Sequence, residues 1–248
     1  MTALWLDQVR DMVQASNSTI RTTFYTQGRI ADFALFKNLT RCNDIHQLHG
    51  RGRAVGTFLH HIVLNYESLA NFTFFTYDQP VGLNAENGKF DEAHSDALWF
   101  EFGENTGFLN HGLNEKDVGW CTCGECDGRE GYSFPFMSLV IPALTGKQCQ
   151  GRQRTVLFNQ FIVSRERILS QPKWVYHLLL DLVTAPDDHW VHQQQQPREI
   201  LKWMGGRSTA EHPLFLYTIE RLWSVLFGCA DDPWAQGCVM FLNMDGPA

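Results

Sequence analysis

The stretch AVGTFLHHIVLNYESLANFTFFTY, residues 54–77, decides the fold of this 248-residue chain. Its first half places Phe58 and Ile62 at helical spacing, which predicts an amphipathic helix over residues 54–66. Its second half, residues 72–77, is a short and almost continuous apolar run, which is typical of a buried strand. A helix followed by such a strand is the repeating unit of α/β proteins. We therefore predict an α/β fold in which a mostly parallel sheet is flanked by helices.

The segments on either side extend this pattern. Further helices are predicted for residues 4–13, 165–169, 172–183 and 213–227, and further strands for residues 20–26 and 156–163. Ser164 stands at the N-cap of the shortest helix. Residues 27–52 show no clear periodicity. Residues 82–155, rich in Gly, Asn and Cys, predict a long irregular insertion, which is either functional or carries short elements that the pattern does not resolve. No internal repeat is visible in the sequence, and residues 1–248 are interpreted as a single domain.

The overall composition excludes several classes of protein before any motif is considered. The chain has 44% hydrophobic and 19% charged residues, which excludes extensive disorder. No apolar run approaches the roughly 20 residues that a membrane span needs. The net charge of −7 argues against a strongly basic DNA-binding protein. The first ten residues lack a basic segment that leads into an apolar run, so we expect no secretory signal, no membrane partner and a cytoplasmic location.

Seven cysteines, an odd number, fit reduced thiols in the cytosol better than a framework of disulfides. Four of them could hold a tetrahedral Zn²⁺, and these candidate ligands are Cys121, Cys123, Cys126 and Cys149. Only Cys123 and Cys126 have Cys-x-x-Cys spacing, so we favour loop cysteines without a metal. Three sequons for N-glycosylation also occur, but a chain outside the secretory route would leave them unmodified. They begin at Asn17, Asn38 and Asn71.

The segment Arg51-Gly52-Arg53 precedes the predicted central helix and is a candidate phosphate site. Gly52 would let backbone amides approach a ligand closely, and the helix N-terminus adds partial positive charge. The two guanidinium groups can form paired hydrogen bonds with phosphate. Such a site suits a nucleotide diphosphate or the terminal phosphates of a tRNA. The alternative is a solvated basic turn.

Polar residues near the predicted strands are candidates for substrate binding. Ligands of parallel sheets bind beyond the carboxyl ends of the strands, which draws attention to Tyr77 and Asp78. The Asp78 carboxylate could bind a metal–diphosphate, a sugar hydroxyl or a guanidinium, or it could simply form the turn before Pro80. Asn159 and Gln160 lie in a neighbouring predicted strand and could orient a substrate through their side-chain amides.

Glu220 lies beside Arg221 at the edge of the apolar face of the last predicted helix. The two could form a purely structural pair, but a partly buried Glu could also act as a general base. His60 and His61 point about 100° apart around their helix, so we do not expect both to bind one metal ion. The sequence contains no P-loop, dinucleotide-binding, metalloprotease or serine hydrolase motif.

Three blocks of sequence, in order over residues 50–228, resemble a protein family that is common in fungi. They are Gly52-Arg53 with Thr57-Phe-Leu and Asn65-Tyr66-x-x-Leu69, then Gln160-Phe-Ile-Val-Ser-Arg with Pro172 and Tyr176, then Glu220-Arg-Leu-Trp223 with Phe227-Gly228. The family resembles glycosyltransferases of the A type in its α/β fold. That resemblance implies a nucleotide-sugar site with Mg²⁺ or Mn²⁺ at the strand ends. Two departures weaken it, because Ala54 replaces a family Glu and Tyr77-Asp78-Gln79 replaces the metal-binding Asp-x-Asp.

The chain is also similar to the fungal arginine-containing cyclodipeptide synthases. This resemblance implies an enzyme that joins arginine, from arginyl-tRNA, to the amino acid of a second aminoacyl-tRNA. Aminoacyl esters are already activated, so the reaction needs no metal or other cofactor. A small basic patch could hold the acceptor ends of the tRNAs, and it would consist of Arg51, Arg53, Arg152, Arg154, Arg165 and Arg167.

We therefore predict a tRNA-dependent cyclodipeptide synthase. The alternatives are a metal-dependent glycosyltransferase and, third, a non-catalytic binding module of the same fold. In the synthase Glu220 would be the base or would clamp the arginine guanidinium, and Asp78 would hold the polar head of the substrate. Arg51 and Arg53 would bind phosphate.

Overall fold

The structure is a computed structural model, and it describes residues 21–28, 30, 32–40, 42–77, 105–110, 118–121, 126–127, 136–146, 153–156, 159–193, 207–229 and 237–240. In these ranges the helices are α1 (Phe33–Thr40), α2 (Arg53–Asn65), α3 (Met137–Thr145), α4 (Arg165–Leu169), α5 (Lys173–Val183), α6 (Trp190–Gln193) and α7 (Phe215–Leu226). The strands are β1 (Thr23–Thr26), β2 (Asp44–Gln47), β3 (Phe72–Phe75), β4 (Phe108–Asn110), β5 (Val118–Cys121), β6 (Cys126–Asp127), β7 (Gln153–Val156), β8 (Phe161–Ser164) and β9 (Cys238–Val239). None of the helices in these ranges has the length and apolar character required to cross a membrane. The predicted helix 4–13 lies outside the described residues.

The described strands form three sheets. Strands β1 and β2 pair in parallel as a small two-stranded sheet. The central sheet has four strands in the order β3-β8-β4-β9, in which β8 runs antiparallel to both neighbours and β4 runs parallel to β9. The third sheet, β6-β5-β7, is antiparallel. The combination of helices and sheets confirms the α/β prediction.

The prediction of a mostly parallel sheet holds for the β1–β2 pair but is wrong for the central sheet. The apolar run that became β3 pairs antiparallel with β8, with Phe72 opposite Ser164 and Phe75 opposite Phe161. Both faces of this sheet are apolar, because Phe161 and Val163 enter the main core while Ile162 packs in a second cluster on the other face. The apolar run correctly indicated a strand that is buried on both faces. Burial does not determine strand direction, so the run could not show whether the sheet is parallel.

The prediction of an irregular insertion over residues 82–155 is not confirmed, because the part of it that the structure describes contains short strands and a helix. Strand β4 lies inside the central sheet between β8 and β9, and α3 contributes buried side chains to the main core. The predicted single strand 156–163 is also divided, because β7 and β8 belong to different sheets. Strands of three or four residues are too short to show a clear alternation in the sequence.

Helix α2 is the element that brings the small and central sheets together. It begins after Gly52, whose φ of 70° is in the left-handed region. A Cβ at this position would lie 3.1 Å from the carbonyl oxygen of Val183, so glycine is favoured by the backbone conformation and also by the tight space. The buried face of α2 includes Phe58, Leu59 and Ile62, as its periodicity predicted.

The main core is organised around Phe161 on β8. This ring is fully buried and lies 5.0 Å from Trp223 and 5.1 Å from Phe75, measured between ring centroids. It also contacts Phe58 of α2 and Phe227, which follows α7. One side chain thus joins α2, β3 and α7.

Disulfide bonds correct the expectation of reduced thiols. Cys229 and Cys238 are joined by a disulfide with a Cα–Cα distance of 5.7 Å, which ties the end of α7 to β9. Cys121 is also disulfide-bonded. Cys42 is a buried thiol that donates to the carbonyl oxygen of Thr22 over 2.9 Å. The odd number of cysteines is therefore compatible with disulfides, because Cys42 stands outside them.

We expect Phe161→Ala to lower the free energy of unfolding by about 3 to 5 kcal/mol, because it leaves a cavity among several aromatic rings. Denaturant-induced unfolding followed by tryptophan fluorescence measures this loss. Trp174→Ala is the matched control, since Trp174 is 59% exposed and its removal should cost less than about 1 kcal/mol. Equal effects of the two variants would contradict the central position of Phe161.

Candidate functional site

Helix α7 presents a small polar face from an otherwise buried helix. Nine of its residues are buried, among them Ile219, Leu222 and Trp223. The partly accessible positions are Tyr217, Glu220 and Arg221, which lie on one face because they are three and four residues apart. The Arg221 guanidinium is held in place by a hydrogen bond from Nη1 to the carbonyl oxygen of Tyr217, 3.0 Å away.

The carboxyl group of Glu220 has the properties that a general base needs. Burial raises its pKa from 4.5 to about 7, and the positive charge of Arg221 opposes this rise only in part. Part of the side chain nevertheless remains accessible to solvent. A carboxyl group of this pKa exchanges its proton near neutral pH, which is the condition for efficient general acid–base catalysis.

The charges of Glu220 and Arg53 both act on the phenol of Tyr217. Burial raises the pKa of Tyr217, and the charges of Arg53 and Glu220 act on that phenol with opposite signs. Arg53 is exposed, and its charge reaches the polar face of α7 at Tyr217. Two of the residues selected from the sequence therefore act on one phenol, that of Tyr217, which the sequence did not single out.

The backbone around Gly52 is used by the fold rather than offered to a ligand. The amide of Gly52 donates to the carbonyl oxygen of Ala210 over 3.1 Å, and the amide of Arg51 donates to His49. The side chain of Gln27 also donates from Nε2 to the carbonyl oxygens of Arg51 and Arg53. An anion at this turn would therefore be bound by the two exposed guanidinium groups and not by a cradle of these amides.

The remaining predicted residues have mainly structural surroundings. Asn159 accepts a hydrogen bond from Nε1 of Trp223 over 2.8 Å, which fixes α7 one turn beyond Glu220. Gln160 is fully buried, so its amide does not face solvent. Tyr77 is partly buried against the main core, and Asp78 lies outside the described residues.

The zinc alternative does not hold for Cys121, because a sulfur atom in a disulfide is not a thiolate ligand. Cys123 and Cys149 lie outside the described residues, as does the side chain of Cys126. In the described part of the chain, no three His, Cys, Asp or Glu side chains are placed to hold a metal ion.

A second polar cluster lies between α2 and the β1–β2 pair, and the sequence did not reveal it. The register places Thr23 opposite Asp44 and Tyr25 opposite His46, so one face of this small sheet carries four polar side chains. The Tyr25 hydroxyl lies 3.0 Å from Nδ1 of His61 on α2. The rings of Tyr25 and His46 stack with their centroids 5.1 Å apart.

The surroundings of this cluster shift the pKa values of its carboxyl and imidazole groups strongly. Burial raises the pKa of Asp44, but hydrogen bonds from Thr23, Arg21 and His46 outweigh it and lower the pKa to about 2. Burial and the nearby Arg21 charge lower the pKa of His61 to about 4. At neutral pH the cluster therefore contains an anionic carboxylate and a neutral imidazole bonded to a phenol.

A stripe of four polar side chains along α2 runs from Arg53 to the cluster beside the β1–β2 pair. Arg53, Thr57, His61 and Asn65 recur every four residues along α2, and Gln27 bonds to Thr57 between the two regions. This spacing was visible in the sequence, but the partner strand β2 was not. Because the sequence did not predict β2, it gave no indication that these side chains face other polar groups.

Searches of protein-family models, characterised proteins and solved structures find no match for this chain. The family resemblance drawn from the three sequence blocks therefore remains a prediction.

We expect the imidazole of His61 to titrate with a pKa of about 4, because burial and the Arg21 charge disfavour its protonated form. Titration of the histidine ring resonances by NMR measures this value. His61→Gln identifies the resonance, and His212→Gln, which alters an exposed ring, is the control. A His61 pKa near 6.5 would contradict the buried, neutral state.

We expect Glu220 to make the folded chain less stable as pH rises. Its folded pKa of about 7 lies above its ordinary value of 4.5, so the stabilising proton is fully bound below pH 4.5 and lost as pH passes through 7. The loss should be at most about 3 kcal/mol, reduced by the remaining contact with solvent. Denaturant unfolding from pH 4.5 to 8 measures it.

Glu220→Gln should remove this part of the pH dependence, while Glu211→Gln, at an exposed position, should retain it. The difference between the wild type and Glu220→Gln isolates the effect, because His61 contributes stability in the opposite direction as pH rises from about 4. Identical pH profiles for wild type and Glu220→Gln would contradict the raised pKa.

Proposed function

We propose that the chain is a transferase in which Glu220 is the general base and Arg51 and Arg53 bind phosphate groups of the donor. The observation that carries this proposal is the Glu220 carboxyl group, with its pKa of about 7 and its place on the polar face of α7 with Tyr217, a phenol on which the charge of Arg53 also acts. A base and a phosphate site at one surface suit transfer from a donor that carries phosphates. Two donors satisfy this description.

The first candidate is the tRNA-dependent cyclodipeptide synthase, which would work in the cytoplasm, where aminoacyl-tRNAs are formed. The α-amine of one aminoacyl-tRNA attacks the ester carbonyl of the other, a C–N bond forms, and the C–O bond to the tRNA ribose breaks. Glu220 removes the proton of the attacking amine, whose ordinary pKa near 8 is close to that of the base. The second amine then attacks the remaining ester, which closes the ring and releases the second tRNA.

Contact with tRNA would be limited to a few arginines. Arg51, Arg53 and Arg165 are exposed and available for phosphate contacts. Arg167 instead donates to the carbonyl oxygen of Phe227 over 3.1 Å, inside the fold. A base with a raised pKa makes a poor clamp for a guanidinium, so the arginine side chain of the substrate would fall to Asp78.

The second candidate is a glycosyltransferase, and the disulfide bonds are the observation that favours it. Disulfides such as Cys229–Cys238 persist in oxidising compartments, where nucleotide sugars can serve as donors but aminoacyl-tRNAs are not available. Glu220 would then deprotonate the acceptor hydroxyl, and the two arginines would bind the nucleotide diphosphate. A divalent metal would bind the diphosphate near Asp78.

Mass spectrometry of small molecules from cells that express the chain tests the first candidate. We expect a new cyclic dipeptide that contains arginine, lost in Glu220→Gln and retained in Glu211→Gln, because only the first variant removes the base. Treatment of the lysate with RNase before incubation should also abolish the product. A product that survives in Glu220→Gln would contradict the assigned base.

If soluble, folded protein yields no dipeptide, the first candidate fails and the second is tested by binding of nucleotide sugars with and without Mn²⁺. We expect Arg53→Ala to weaken this binding and Glu220→Gln to leave it unchanged, because Glu220 would act on the acceptor. Absence of binding under both conditions would contradict the glycosyltransferase.

A further inference from the structure

We propose that the chain carries N-linked glycans on Asn38 and Asn71 and reaches its disulfide-bonded state in the secretory pathway. This inference departs from the cytoplasmic location expected from the sequence. It agrees only with the second candidate of the proposed function, because aminoacyl-tRNAs are not available along the secretory route, and it does not depend on Glu220 or the two arginines. It rests on two independent observations, which are the oxidised cysteines and the exposure of both acceptor asparagines.

The oxidised cysteines indicate the compartment. The disulfide between Cys229 and Cys238 links two elements of the folded core, and Cys121 is disulfide-bonded as well. Such bonds are rare in reducing compartments and common along the secretory route. Among the described cysteines Cys42 is a thiol; it is 3% exposed and hydrogen-bonded to backbone carbonyl oxygens, so it is shielded from oxidation.

Asn71 is placed as an acceptor site requires. Its side chain is exposed, while its carbonyl oxygen accepts a hydrogen bond from the amide of Arg165 over 2.8 Å. The backbone is thus fixed and the amide side chain is free to carry a sugar. The sequon continues to Thr73 in β3, which is an edge strand of the central sheet among the strands that the structure describes. A glycan here would shield that edge from pairing with another chain.

Asn38 lies on the exposed side of α1, three residues after Leu35. Leu35 is 54% exposed, so a glycan on Asn38 would cover an apolar side chain that otherwise faces water. An open depression of about 420 Å³ adjoins this position and is lined by Ala34, Lys37, Asn38 and Asn43. None of the residues that the structure describes therefore fills the space beside the acceptor.

The modification would use a lipid-linked oligosaccharide diphosphate as donor. The Nδ2 atom of the asparagine attacks the first sugar carbon, a C–N bond forms, and the C–O bond to the diphosphate breaks. The asparagine nitrogen loses one proton, and the lipid diphosphate leaves. If both sites are modified, the protein resides in a compartment where nucleotide sugars are available. A nucleotide sugar would then be the donor of the proposed transferase.

The test is expression of the chain from its own gene in a eukaryotic host, followed by peptide N-glycosidase treatment and peptide mass spectrometry. The glycosidase converts each glycosylated asparagine to aspartate, so we expect that conversion at residues 38 and 71. An unmodified peptide at either site, from folded protein, would overturn the proposal for that site.

Two substitutions of Thr73 provide a matched control that leaves Asn71 unchanged. Thr73→Val preserves a β-branched side chain in β3 but destroys the sequon, so the Asn71 glycan should disappear. Thr73→Ser retains the sequon and should retain the glycan. A modification that survives in Thr73→Val would not be an N-glycan of this sequon.

Labelling of thiols under denaturing conditions gives a readout that does not require any variant. We expect Cys229 and Cys238 to react with a maleimide only after treatment with a reductant. Immediate labelling of both, together with unmodified Asn38 and Asn71, would overturn the proposal and favour a cytoplasmic protein. These outcomes are separate from the loss or retention of transferase activity.

Discussion

The burial of Phe161 among five aromatic rings is the constraint on which the rest of this structure depends. Its ring contacts Phe58, Phe75, Phe108, Trp223 and Phe227, which come from α2, β3, β4 and the region of α7. Aromatic pairs at these separations add to the stabilisation that burial alone provides. Elements that are distant in sequence are therefore held in one arrangement by a single side chain.

This core also explains why Glu220 has an unusual environment. Trp223 is held on both sides, by stacking on Phe227 and by the hydrogen bond to Asn159. Because α7 is fixed in this position, its few polar residues lie at the boundary of the core. Burial at this boundary raises the pKa of Glu220. The chemistry proposed for this residue is thus a consequence of packing that surrounds it on one side and leaves solvent on the other.

Several motif residues that suggested a family prove to have structural roles. The Tyr66 hydroxyl donates to the carbonyl oxygen of Gln171 over 2.6 Å, and that of Tyr176 donates to Ile168 over 2.8 Å. These bonds connect α2 and α5 with the residues around α4. Motifs of this kind specify a fold more strongly than a reaction, which is why the site must be argued from Glu220, Tyr217 and Arg53.

The sequence by itself determined the long helices and the Ser164 N-cap, because helical periodicity and capping are local and need no knowledge of partners. It also supplied Arg53 and Glu220 as candidate site residues, which remain a prediction. Only the tertiary structure decided strand direction, the placement of β4 in the sheet and the meeting of Tyr25 with His61. These depend on contacts between residues far apart in the chain, and an apolar or polar residue looks the same in the sequence whichever partner it finds.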